Sequence, residues 1–191
     1  MPPQSHPHGA SYGQWAARWW QWLCDTSVSI SPEFSAARTP DAPVPVACDA
    51  GQSGNVWFLG GTYLPTSTTS QGKVEEDNVY RTCAVPVATF LFFPLVNDEF
   101  DNLGCPNATW SADQLKTAAA TEIDDIVAGA LSATIDSASV SGLFGPNTTY
   151  RAPSPWFSYT LPPNNVGQFF ACNFPAGTCR QRRAVVPTGS M

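Results

Sequence analysis

The chain has 191 residues, 43% of them hydrophobic and only 13% charged, which fits one domain with a hydrophobic core and excludes a long disordered polyelectrolyte. Fifteen acidic residues against nine basic ones give a net charge of -6, which repels phosphate backbones; the only basic cluster is Arg180, Arg182 and Arg183. The longest apolar block, residues 88–96, contains Thr89 and Pro94, so no stretch is apolar for long enough to cross a bilayer as a helix.

Residues 1–10 are rich in Pro, His and Gly and predict a flexible arm, leaving residues 11–191 as a single β-rich domain. Ser11 is suited to cap a first helix. At 100° per residue Tyr12, Trp15, Ala16, Trp19, Trp22 and Leu23 fall on one face, with Gln14, Arg18 and Gln21 opposite and Trp20 off the stripe. Prolines at 32, 40, 43 and 45 then impose a wrapping loop. Residues 55–59, bounded by glycines, and residues 79–85 predict strands, and the apolar run 90–96 predicts a buried strand whose far end is bent by Pro94. Ser111 with Gln114 forms a capping box for a second helix, whose apolar face is Leu115, Ala119, Ile123, Ile126 and Ala130, ending near Leu131. Beyond it, short strands are expected around 133–140, 148–152, 156–161 and 168–172, separated by Gly, Pro and Asn turns. This cadence predicts a mainly β fold, an antiparallel β-sandwich or jelly roll carrying an N-terminal aromatic helix and one mid-chain helix, with an α+β arrangement as the alternative.

Six cysteines, at 24, 48, 83, 105, 172 and 179, are even in number and contain no CxxC pair, which favours disulfides over zinc or thioredoxin-like sites. Cys172 and Cys179 flank a turn-rich loop and suit a local bridge. Cys48 and Cys83 bracket the Trp57 strand, which leaves Cys24 and Cys105 as the remaining pair. Disulfides, two lysines and many Ser, Thr, Asn and Pro residues point to an oxidising compartment, so the chain is expected to be secreted, extracellular or periplasmic. Residues 1–8 lack the apolar stretch of a secretory signal, so export implies a mature form with an added initiator Met.

Four ordered blocks carry a resemblance: SYGQWAARWWQW (11–22), QSGNVWFLGG (52–61), RTCAVP (81–86) and LFFPLVN (91–97), joined by a later SPWF (154–157). In this order the chain resembles a group of uncharacterised secreted bacterial proteins, over most of residues 11–160. The resemblance implies export and a mainly β body, and it carries no activity or catalytic residues. It also implies further strands after the Pro-rich region, whereas this chain stops at residues 185–191, so either its tail differs or its last sheet is shortened.

Few residues are suited to chemistry. His6 and His8 are the only histidines, and a nucleophile system would have to recruit its base from the arm, although such bases need tight positioning. No GxSxG, Walker A, GxGxxG or HExxH motif occurs. Asp98, Glu99 and Asp101 stand where the buried strand leaves the core; they are the candidates for acid and base roles, and Asp98 and Asp101 for Ca²⁺ ligands, although the EF-hand spacing is missing and no cofactor is required. Trp15, Trp19, Trp20 and Trp22 could form a platform for sugar rings or a membrane interface, against the simpler role of packing the helix on a sheet. The expected function is therefore a secreted, non-catalytic binding or surface-assembly protein, with glycan or another copy as partner and nucleic acid excluded. The alternatives are a secreted polysaccharide hydrolase using carboxylates and a structural protein that self-assembles through open strand edges.

Overall fold

The computed structural model describes residues 6–27, 29–31, 48–61, 80–101, 110–127, 129–145, 148–163 and 189–190. Helix α1 (Tyr12–Asp25) starts at Ser11, whose hydroxyl accepts from the Gln14 amide while the Gln14 side chain accepts from the Ser11 amide, a complete capping box. Its surroundings differ from the one-faced stripe expected. Trp15, Trp19, Trp20 and Trp22 are all at most 8% exposed, and Ala16, Ala17, Leu23 and Cys24 are buried as well. Trp20, which the periodicity left without a surface, packs edge-on against Trp19 with ring centroids 5.0 Å apart. Only Gln14, Arg18 and Asp25 are exposed on the helix, and Arg18 lies over the Trp15 ring at 4.4 Å.

A helix buried on nearly every side needs acceptors for its indole N–H groups. Three loops supply them: Trp15 donates to Pro7 O at 2.8 Å, Trp19 to Leu59 O at 2.9 Å and Trp22 to Ala50 O at 2.8 Å. The first of these bonds explains why the expected arm does not lie free at its inner end. Pro7–Gly9 forms a 3-10 turn with Pro7 buried, Ala10 is buried beside it, and His8 packs on Phe90.

Strand β1 (Val56–Phe58) and strand β2 (Phe90–Phe93) pair in parallel, with Val56 opposite Phe90 and Phe58 opposite Phe92; β5 (Gly189–Ser190) joins β2 antiparallel. Val56 and Phe92 are buried against α1, and Phe58 packs between Trp15, Trp22 and Phe92. The block 52–61 is held by its own side chains: Gln52 accepts from the Phe58 amide and donates to Phe58 O and Cys48 O, standing in for a neighbouring strand. Arg81 donates to Gly60 O and Gly61 O, and the Cys48–Cys83 disulfide, with Cα atoms 5.6 Å apart, fastens the same region.

Helix α2 (Ala112–Asp124) opens with the predicted box, Ser111 and Gln114 capping each other, but it stops seven residues before Leu131 and buries only Leu115. A short hairpin follows, β3 (Thr134–Ile135) with β4 (Ala138–Ser139), turned by Asp136 and Ser137 at φ of 49° and 67°. Two successive positive φ values give the turn whose twist suits a two-residue hairpin.

The antiparallel β-sandwich or jelly roll expected from the sequence is not what forms. The described residues contain two α-helices and one 3-10 turn, a three-stranded sheet with one parallel pair, and a hairpin of two short strands. The expected strand 79–85 retains one isolated bridge at Tyr80. Residues 148–150 form a turn in which the Thr148 amide donates to Gly145 O and the Arg151 amide to Thr148 O. Residues 152–161 carry no ladder; Pro153 and Pro155 remove the donors a sheet strand needs. The expected strand 168–172 lies outside the described residues.

Two stability tests follow. Trp19→Ala removes a buried ring and its bond to Leu59 and is expected to cost about 3–5 kcal/mol in chemical denaturation. Reducing the Cys48–Cys83 bridge is expected to cost about 2–5 kcal/mol, seen as a clear fall in melting temperature with reductant.

Candidate functional site

Three elements meet where polar chemistry concentrates. Pro94 ends β2, and the chain then delivers Asp98, Glu99 and Asp101; the last turn of α1 delivers Cys24 and Asp25; the extended segment 152–160 delivers Tyr159. Asp98 is 5% exposed, and Glu99 and Asp101 are half-buried, so these acids line the inside of a junction and not a solvated loop. The Tyr159 hydroxyl donates to Asp101 Oδ2 at 2.5 Å. The Thr160 amide donates to Asp25 Oδ1 at 2.8 Å and Gln21 Nε2 to Ser158 O at 2.8 Å, which ties the same segment to α1.

Electrostatics follow from crowding acids where water is scarce. Burial, then the neighbouring charge of Asp101, its hydrogen bond and the charge of Asp98 raise Glu99 to about 8, so its carboxyl keeps its proton at neutral pH. The Cys24 thiol is pushed far above its ordinary value by burial and by Glu99, Asp25 and Asp101, and so is inert as a nucleophile. Tyr159 is driven up by burial and by its bond to Asp101, which keeps the hydroxyl a donor.

The residues singled out by sequence are thus partly gathered and partly dispersed. Asp98, Glu99 and Asp101 do sit together, with Cys24, Asp25 and Tyr159 as partners that no local spacing reveals. The ligand platform of Trp15, Trp19, Trp20 and Trp22 is corrected: these rings are interior, and their hydrogen-bond donors, where assigned, point to protein carbonyls. Cys24 is a buried thiol with no disulfide partner among the described residues, and the pairing with Cys105 expected for it falls on a residue outside them. Cys105, Cys172 and Cys179 lie outside the described residues. Among the described residues no three His, Cys, Asp or Glu side chains are arranged to hold a metal ion, Asp98 and Asp101 included.

Aromatic surface occurs elsewhere. Trp156 is 56% exposed with Lys116 of α2 over its ring at 5.2 Å, and Trp110, 39% exposed, stacks on Phe100 with the planes 9° apart. The signal for Trp156 was present in the SPWF block, where flanking Pro153 and Pro155 keep the ring out of any ladder. A separate apolar pocket lies between Leu95, Ile123, Leu131 and Leu143, closed at one side by the Arg151–Asp124 ion pair.

No protein-family model, no curated protein and no solved structure matches the chain. No helix among the described residues is long and apolar enough to cross a membrane.

Tyr159→Phe, which removes one hydrogen bond and little else, is expected to cost about 1–3 kcal/mol. Because Asp98 is buried and Asp101 is held by Tyr159, added Ca²⁺ is expected to leave the melting temperature unchanged. A calcium-dependent rise that disappears in Asp98→Ala or Asp101→Ala would show a metal site instead.

Proposed function

We propose that the chain is an extracytoplasmic protein that acts by binding or by building a surface assembly, with no catalytic step of its own. The observation that carries this reading is the Tyr159 hydroxyl seated on Asp101 Oδ2, which gives one of the candidate acids to a group of the protein itself. Carboxyl groups that cleave glycosides stand about 5–9.5 Å apart so that substrate or water can enter between them. Here Asp98 is buried and Asp101 accepts from Tyr159, so these acids face protein groups at the junction. The Cys48–Cys83 bridge supports an oxidising compartment.

For a ligand, the exposed indoles Trp156 and Trp110 favour the faces of sugar rings, which stack on aromatic surfaces through their C–H groups. A polysaccharide hydrolase is the second reading. It is favoured by the raised value of Glu99, which suits a general acid, and opposed by Tyr159, which holds Asp101.

A glycan array combined with a hydrolysis screen tests both. The binding reading expects retention without cleavage, and Trp156→Ala, which touches none of the core, should weaken retention about tenfold. Reducing-sugar release that is lost in Glu99→Gln would establish the hydrolase. A mass in solution that grows with concentration while no glycan is retained would favour self-assembly.

A further inference from the structure

We propose, building on the glycan-binding reading, that Trp156 and Lys116 form a site for a sugar unit bearing an anionic group, carboxylate or sulfate, whose ring stacks on the indole while the anion pairs with the ammonium. The fold holds the indole outward. From 156 to 160 exposure alternates: Phe157 and Tyr159 pack on the α1 core, while Trp156, Ser158 and Thr160 are exposed. The segment that sets this alternation is itself fixed. Gln21 donates to Ser158 O, the Thr160 amide donates to Asp25, and at the start of the segment a Cβ on Gly13 would stand 2.3 Å from Pro153 O, which leaves room for glycine only. Trp156 is therefore a large ring, 56% exposed, on a backbone that is tied down on both sides of it.

Lys116 supplies the charge. Its neighbour Leu115 is the buried residue of α2, and Lys116 itself is exposed, with Nζ 5.2 Å from the centre of the Trp156 ring. No carboxylate pairs with it among the described residues: Asp113, one turn back on α2, makes no ion pair, and Asp124 of the same helix is engaged by Arg151. A cation resting on an exposed ring is only weakly held there, and the flexible four-carbon stem of lysine lets the ammonium turn from the ring to an anion beside it.

Ring and cation together select the ligand. A neutral sugar uses the indole and leaves the ammonium without a partner, whereas a sugar acid uses both. The net charge of -6 opposes an anionic polymer at long range, so its recognition here is local and is strongest where salt screens the rest of the molecule.

Calorimetric titration of the full chain at about 0.15 M salt, where charges beyond about 8 Å are screened, tests this with matched pairs of ligands. The pairs are oligomers of galacturonic and mannuronic acid beside their methyl esters, and a sulfated galactose oligomer beside its desulfated form. We expect the charged member of at least one pair to bind about three- to fivefold tighter than its neutral partner, the uronates or the sulfate showing which anion is taken. Lys116→Gln should abolish that preference, Lys116→Arg should keep it, and Trp156→Ala should weaken both members about tenfold. Equal affinities within every pair, a preference that survives Lys116→Gln, or binding untouched by Trp156→Ala overturns the proposal. The wild-type comparison decides alone if a variant fails to fold. Equal affinities leave glycan binding itself standing, whereas no binding of any member overturns the anionic site and passes the glycan reading to the neutral sugars of the array.

Discussion

Each assigned indole N–H of α1 reaches out of the helix to a carbonyl on a different loop, and the arrangement of the described residues depends on those bonds. Burying a tryptophan gains much apolar contact but leaves a donor that costs free energy unless it is paired. Trp15, Trp19 and Trp22 solve this by fixing Pro7, Leu59 and Ala50, so the requirement of one helix dictates where three otherwise irregular segments must run. The sheet is then short because it has little left to organise: β1 and β2 present Val56, Phe58 and Phe92 to the aromatic helix, while Gln52, Arg81 and the Cys48–Cys83 bridge hold the chain around them.

The same helix sets the polar chemistry. Its last turn carries Cys24 and Asp25 to the place where β2 releases its acids, and the extended segment 152–160 reaches both through Tyr159 and Thr160. Burial and the neighbouring acids Asp101 and Asp98 favour the protonated form of Glu99. With Asp98 buried and Asp101 held by Tyr159, the junction turns these acids to the protein, which is why recognition is better sought at the exposed Trp156 and Trp110.

Local signals in the sequence were readable where a single element produces them. The capping box at Ser111 and Gln114, the strand around Val56–Phe58 and the Cys48–Cys83 pair all follow from spacing within a few residues or from cysteines bracketing one strand. The layered β architecture was not, because turn-like Gly, Pro and Asn residues at regular intervals look the same whether the segments between them pair or run extended. In 152–161 the prolines decide against pairing, and the contacts that replace a ladder come from Gln21 and Asp25, more than a hundred residues away in sequence. Periodicity placed the buried stripe of α1 and its exposed Gln14 and Arg18, whereas the burial of Trp20 and the bond from Gln21 to Ser158 O come from segments distant in sequence. The acid cluster was visible as a group, whereas its meaning depends on Tyr159 and Cys24, which only the tertiary arrangement brings to it.

The account rests on α1 being an enclosed scaffold whose indole donors are satisfied within the protein. Indole N–H hydrogen exchange, resolved by NMR for each tryptophan, measures this directly. The N–H groups of Trp15, Trp19 and Trp22 should exchange only as fast as the whole domain opens, while that of the exposed Trp156 exchanges at close to the rate of free indole. Exchange of the three helix indoles as fast as that of Trp156 would contradict the account and return α1 to the surface as a binding platform.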